Sequence, residues 1–237
     1  HTSLELLLTE CEARAAVLAD ALNKANEERR AIEQKIFDEA EEILQAFLTE
    51  AQRSIVLAED DWHQGVIGIV ASRIQSRHQR PVIICCRGED GLFHGSARSS
   101  AGFNMIEALN ACAAQLATFG GHAAAAGLAL TPDALEGFRT AFEEQALHQL
   151  GPDKIEPLLE VHALIGLSQI NSAFIRCLDC LEPFGQGNPE PLFCAAGVTV
   201  TPQSMRILKE QHLKFQVRQD DTALTALAFR MAERYFT

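Results

Sequence analysis

The chain has 237 residues, 47% of them apolar and 22% charged, with a formal net charge of −12. That length holds one large domain or two modest ones with a real core, and those fractions are globular values. No stretch approaches ~20 uninterrupted apolar residues, so no membrane span is expected.

The start, His1-Thr2-Ser3-Leu4-Glu5, lacks the basic opening of a signal peptide and reads as a cut into a longer protein. From Ala13 to Leu48 apolar residues recur every three or four positions (Leu18, Leu22, Ala25, Ile32, Ile36, Ala40, Ile43, Phe47), which predicts a helix ~50 Å long with an acidic outer face. An α/β alternation follows. Residues 54–58 read as a strand, 59–64 as a loop, 65–75 as an apolar helix, 81–87 as a buried strand and 92–97 as a strand ending in a serine-arginine turn. Residues 105–116 read as a helix, 122–130 as a strand and 133–150 as an amphipathic helix. Such alternation implies a central sheet covered by helices.

Gly151-Pro152-Asp153 breaks this pattern and marks a candidate boundary. A short strand over 158–164 and a helix over 169–181 come next, then the turn cluster Pro183 to Pro191. Strands are expected over 192–200, 205–208, 213–218 and 223–229, forming a small β module cut short at Thr237. The seven cysteines are odd in number and irregularly spaced, which argues for reduced thiols and a cytoplasmic protein. Cys177-Leu178-Asp179-Cys180 has no second CxxC or histidine pair beside it, and no metal site is expected from it.

Residues 1–50 carry twelve acids and five bases, whereas residues 51–130 carry six of each, and every base there is arginine. Arginine without lysine around glycine turns suits bidentate phosphate recognition. Three motifs converge on such a pocket. Trp62-His63-Gln64-Gly65-Val66-Ile67-Gly68 sets His63 and Gly65 at a helix start, where free amides favour an anion, with Arg73 two turns on, pointing back or facing solvent. Gly95-Ser96-Ala97-Arg98-Ser99 puts a hydroxyl and a guanidinium on one side of a strand, suited to a terminal phosphate. Phe119-Gly120-Gly121-His122, followed by four alanines and Gly127, lets the backbone approach a ligand closely while His122 donates to a phosphoryl oxygen.

In order and spacing these three motifs resemble the RecJ family of the DHH phosphoesterase superfamily, over essentially the whole chain. The resemblance implies a 5′→3′ single-stranded-DNA exonuclease acting in DNA repair and recombination. It implies an α/β fold: a connector helix (1–50), a DHH-associated domain with a central mixed sheet (51–150), a linker strand and helix (151–184) and an OB-type β module (185–237). Ser96, Arg98 and Ser99, with His63, Gly65, Arg73, Gly120 and Gly121, would then hold nucleotide phosphate, and His122 would stabilise charge at the scissile group. Two Mn²⁺ or Mg²⁺ ions would sit in a catalytic Asp-His-His half. No Asp-His-His occurs in this chain, so it is expected to hold substrate without its metals and to be inactive alone. Implied partners are single-stranded DNA and a single-strand-binding protein or helicase.

In the β module, Arg206, Lys209, Lys214 and Arg218 outnumber Glu210 between Thr201 and Gln219, a candidate single-strand contact. Three other readings stay open: a short-RNA or cyclic-dinucleotide phosphodiesterase of the same superfamily, a non-catalytic module like the tRNA-contacting domain of alanyl-tRNA synthetases, and a small-molecule-binding α/β protein. The long helix and the β module count against the first. The His63-to-Gly68 motif and the serine-arginine turn count against the second.

Overall fold

Leu18, Ile36, Phe37, Ala40 and Leu44 are the buried stripe of one long helix, α2 (Glu12–Phe47), preceded by a short α1 (Thr2–Leu8) that the sequence pattern does not predict. The computed structural model describes residues 2–152 and 159–232 and divides into two compact units, His1–Pro157 and Leu158–Thr237.

In the first unit the remaining elements are β1 (Ile55–Glu59), α3 (Gln64–His78), β2 (Val82–Arg87), β3 (Phe93–Arg98), α4 (Met105–Ala111), β4 (Thr118–Gly121), β5 (Ala125–Leu130) and α5 (Leu135–Leu150). The strands form one mixed sheet in the order β1-β2-β3-β5-β4, with β1 and β2 parallel and the other pairs antiparallel. Val82 to Cys86 are all buried, as expected for an apolar run flanked by strands and covered on both faces. On one face Val56, Ile83, Cys85, Phe93 and Ala97 pack beneath Phe138 and Phe142 of α5. On the other, Ile55, Leu57, Val82 and Ile84 pack beneath α3 and the second half of α2, with Trp62 buried in the same cluster. The Trp62 indole donates to Glu39 at 2.9 Å, tying the loop before α3 to α2.

Two expectations change here. Residues 118–121 form a strand, and the predicted strand over 122–130 begins only at Ala125, so His122-Ala123-Ala124 is a hairpin turn. The predicted helix over 105–116 closes at Ala111 and tightens into a 3₁₀ turn at Ala113–Gln115.

The second unit contains β6 (Ala163–Leu164), α6 (Ser172–Asp179), β7 (Phe193–Cys194), β8 (Thr199–Leu208), β9 (His212–Gln219) and β10 (Thr222–Ala228). The last three form an antiparallel meander with β9 in the centre, and β6 pairs with β7 in parallel. The expected strand over 192–200 is thus only Phe193–Cys194, and 205–208 is the end of a longer β8 whose register shifts between Thr201 and Arg206. The expected strand over 158–164 is only Ala163–Leu164; its first residue, Leu158, and residues 233–237 lie outside the described residues.

Candidate nucleic-acid interface

Alternation along β3 puts His94, Ser96 and Arg98 on one face and Phe93, Gly95 and Ala97 in the core. That polar face meets α3 over a cavity of about 530 Å³, to which the helix contributes Gln64, Gly65, Gly68 and Ser72. The Arg98 fork is fixed from several sides. Nε donates to Ser72 Oγ at 3.0 Å, while Nη1 donates to Ser96 Oγ at 3.0 Å and to the Ala97 carbonyl at 2.8 Å. Nη2 has no hydrogen-bond partner among the described residues. It lies 3.0 Å from where a Cβ on Gly68 would stand, and Ser96 Oγ lies equally close to that point. The bare Gly68 is therefore what lets the fork lie against α3.

The cavity lining contains no carboxylate. Three other arginines of this segment are satisfied. Arg53 is buried and donates to the carbonyls of Glu50, Ala51, Gln52, Gly151 and Pro152. Arg77 and Arg87 pair with Glu41 and Asp60. A guanidinium held rigid, with free donors and no acid in the cavity lining, has the chemistry to receive an anion.

The same face continues as a bare floor. Ser96 stands opposite Gly127 on β5, and Gly127 opposite Gly120 on β4; residues directly opposite share a face. A Cβ on Gly120 would meet nothing within 4 Å, and one on Gly127 only the Gly95 carbonyl at 3.9 Å. Gly121 has φ +151°, and a Cβ there would fall 2.5 Å from the Ala125 carbonyl oxygen and Ala126 Cα. Only glycine closes this hairpin. His122 follows in the exposed turn, its amide donating to the Ala125 carbonyl at 2.8 Å and its imidazole without a partner among the described residues. Ala125 pairs with Arg98, so His122 stands at the same end of the sheet, two strand spacings or ~10 Å away.

Three expected ligands are placed otherwise. Arg73 leaves the Gln64-Gly68-Ser72 stripe by one residue and turns to α2, where it pairs with Glu33 at 3.1 Å, donates to Gln34 and stacks 3.8 Å above the Phe37 ring. It is corrected to a helix–helix contact. Ser99 donates its hydroxyl to the Phe103 carbonyl and its amide to Ala124, which pins the hairpin turn to the end of β3; it too is structural. His63 caps α3, its Nδ1 accepting from the Gly65 amide at 3.0 Å, and the absent Gly65 side chain leaves room for that ring. The first free amide is thus already used. Gln64, Gly68, Ser72 and His94 are pocket residues that the motifs do not single out as ligands; the i, i+4 spacing of 64, 68 and 72 is the available signal.

On the second unit, alternation places Lys214, Gln216 and Arg218 on the exposed face of β9. Arg206 stands directly opposite Lys214. Lys209 lies in the turn between β8 and β9, at φ +48°. Phe215 is on the opposite face, and Phe193 packs edge-on against Phe174 at 5.1 Å.

A separate cavity of about 430 Å³ opens at the free edge of β1. Two of its charged groups are engaged internally: Arg139 donates to the Val56 carbonyl, and Glu143 accepts from the Arg53 and Ser54 amides. Among the described residues no three His, Cys, Asp or Glu side chains are placed to hold a metal ion. No helix there is long and apolar enough to cross a membrane.

Residues 41–147 match the DHHA1 domain, and residues 161–237 match the RecJ OB domain. The chain is similar to the single-stranded-DNA-specific exonuclease RecJ of Bacillus subtilis, at 32% identity over 232 residues, covering 98% of this chain and 29% of the relative. It is also similar to two crystal structures of RecJ from Thermus thermophilus. The one in complex with Mg²⁺ gives a TM-score of 0.74 at 32% identity, covering 96% of this chain and 34% of that one. The one in complex with Mn²⁺ gives 0.76 at 32% identity, covering 95% and 32%. The chain thus spans about a third of the length of the relatives it matches. A mixed α/β unit with the DHHA1 signature, followed by an antiparallel sheet with the RecJ OB signature, makes this chain a member of the RecJ family.

Proposed function

We propose that this chain is the substrate-holding part of a 5′→3′ single-stranded-DNA exonuclease serving DNA repair and recombination. The observation that carries this reading is the Arg98 fork, fixed by Ser72 and Ser96 beside Gly68 in a pocket without a carboxylate. A terminal phosphate offers three non-bridging oxygens and up to two charges, more than a diester link, so a fork with a hydroxyl beside it favours a phosphorylated end. The strand then runs over the Gly127–Gly120 floor, where no side chain obstructs it, and the next phosphate meets His122. The exposed cations of β8 and β9 bind backbone phosphates of single-stranded DNA.

In this reading residues 1–50 connect to a catalytic DHH domain, 51–150 bind the substrate end, 151–184 link, and 185–237 form the OB-type module. Divalent-metal chemistry then belongs to the catalytic DHH domain; the related crystal structures are of RecJ in complex with Mg²⁺ or Mn²⁺. The free cysteines suit a cytoplasmic protein. In this reading the partners of the whole enzyme are single-stranded DNA and a single-strand-binding protein or helicase.

The test is fluorescence anisotropy with 5′-phosphorylated and 5′-hydroxyl single-stranded oligonucleotides. Arg98→Ala should weaken the phosphorylated end by roughly 10- to 150-fold, the loss of ~1.5–3 kcal/mol expected for a charged hydrogen-bonding group, and change the hydroxyl end little. Equal losses for both ends would refute the terminal-phosphate role.

A further inference from the structure

His94 lies two residues before Ser96 on the same face of β3 and lines the same cavity. Its Nε2 is held 3.0 Å from both carboxylate oxygens of Asp90 in the turn between β2 and β3. The turn is shaped for that contact. A Cβ on Gly88 would stand 2.6 Å from His94 Cδ2 and 2.7 Å from Asp90 Oδ1, so ring and carboxylate both fold over a bare Cα. The Leu92 amide also donates to Asp90 at 3.1 Å. Together the His94 hydrogen bond and the Leu92 amide hold the Asp90 carboxyl below its usual range, which keeps it an acceptor. With Nε2 committed to Asp90, Nδ1 is the nitrogen left without a partner among the described residues.

We propose that His94, oriented by Asp90, is a second cationic donor of this pocket, taking up a proton as a terminal phosphate binds between it and the Arg98–Ser96 pair. The proposal rests on the reading of that pocket as a terminal-phosphate site. Alternate residues on one strand face lie ~6.6 Å apart, a gap that a phosphate with hydrogen bonds of ~2.8 Å on either side spans. The proton taken up goes to Nδ1, which then donates to a phosphoryl oxygen while Nε2–H stays on Asp90.

Of the charged and titratable groups on the surrounding elements, Glu89 is an exposed neighbour of Asp90 in the same turn. Arg98 belongs to the same strand. Arg87 of β2 is paired with Asp60 at 2.7 Å and donates to the Gly91 carbonyl. The Cys86 thiol, 3.8 Å from the His94 carbonyl, is kept protonated by burial, which raises its pKa. The α3 residues lining the cavity bring no charge. Asp90 is thus the positioning residue, and the imidazolium offsets its negative charge beside an incoming anion.

The experiment is calorimetric titration of this chain with 5′-phosphorylated and 5′-hydroxyl oligonucleotides, in two buffers of different ionisation enthalpy to count protons. Binding of the phosphorylated end should take up a fraction of a proton that is missing in His94→Gln, beyond any change from the phosphate itself. His94→Gln should weaken that end about tenfold, the size of one charge-assisted hydrogen bond, and leave the hydroxyl end unchanged. Gly88→Ala, which displaces the ring while keeping it, should reproduce the loss, and Asp90→Asn should reduce the proton uptake. Wild-type affinity and uptake in His94→Gln would overturn the proposal. If Arg98→Ala loses the phosphorylated end while His94→Gln does not, the dyad alone is wrong; if Arg98→Ala keeps its preference, the pocket reading is wrong.

Discussion

Replacing Gly68 by alanine separates stability from binding. Gly68 lies inside α3 with no positive φ, so alanine should favour the helix by roughly 0.5–1 kcal/mol. Against this, the new Cβ would stand 3.0 Å from both Arg98 Nη2 and Ser96 Oγ. Both are side-chain tips, and the fork can yield by a few tenths of an ångström. The net change in unfolding free energy should therefore stay within about 1 kcal/mol, a Tm shift of roughly 2–4 °C for a unit of this size. Binding should respond more strongly. A moved fork loses alignment with Ser72 and Ser96 and fills the space beside Nη2 that an anion would use, at a cost of one or more charged hydrogen bonds, about 1.5–3 kcal/mol each. Thermal unfolding followed by circular dichroism, with anisotropy on phosphorylated and hydroxyl-ended oligonucleotides, reads both quantities. A Gly68→Ala protein that keeps its Tm and still prefers the phosphorylated end by the wild-type margin would refute the argument.

At the β4–β5 hairpin, Gly121→Ala should lower stability by about 1–3 kcal/mol, since the backbone at φ +151° and the nearby Ala125 carbonyl leave no room for a methyl group. His122→Ala should leave Tm unchanged. In an active RecJ-family enzyme built on this chain it should cut kcat by about 100-fold with little change in DNA affinity; an unchanged kcat would remove His122 from the chemistry. Burial pushes the Cys85 thiol up to about 12 and the Cys112 thiol up to about 11. Native protein should therefore be alkylated quickly at the exposed Cys11, Cys177 and Cys180 and at Cys85 and Cys112 only after unfolding. The unfolded chain ionises these thiols first, so stability should fall as pH rises above about 9. The purified chain, with Mn²⁺ or Mg²⁺ added, should release no nucleotides from single-stranded DNA; metal-dependent release would contradict the assignment of the chemistry to other residues.

Much of the sheet was legible because its signals are local. The apolar run at Val82 to Cys86 and the 3.6-residue stripe of α2 each depend on near neighbours along the chain. β4 was hidden because Gly120-Gly121 reads as a turn, whereas here the missing side chains leave a strand face bare and let the hairpin close. The serine-arginine pair was legible from strand alternation alone. What fixes Arg98 was not, since Ser72 and the empty position at Gly68 reach it only when α3 packs on β3. Arg73 misled for the same reason: one residue along a helix is a rotation of ~100°, enough to carry it from the pocket to Phe37 and Glu33 of α2. Arginine enrichment was a mixed signal, because Arg53, Arg73, Arg77 and Arg87 are spent on structure, whereas Arg98 keeps Nη2 without a hydrogen-bond partner among the described residues.

A crystal structure of this chain with a 5′-phosphorylated single-stranded oligonucleotide would show directly whether Arg98 holds the terminal phosphate. The terminal phosphate should lie within hydrogen-bond distance of Arg98 Nη2 and Ser96 Oγ, with the strand crossing Gly127 and Gly120 toward His122. A terminal phosphate bound elsewhere, on the Arg206–Lys214 face for example, with the Arg98 fork left untouched, would contradict that role.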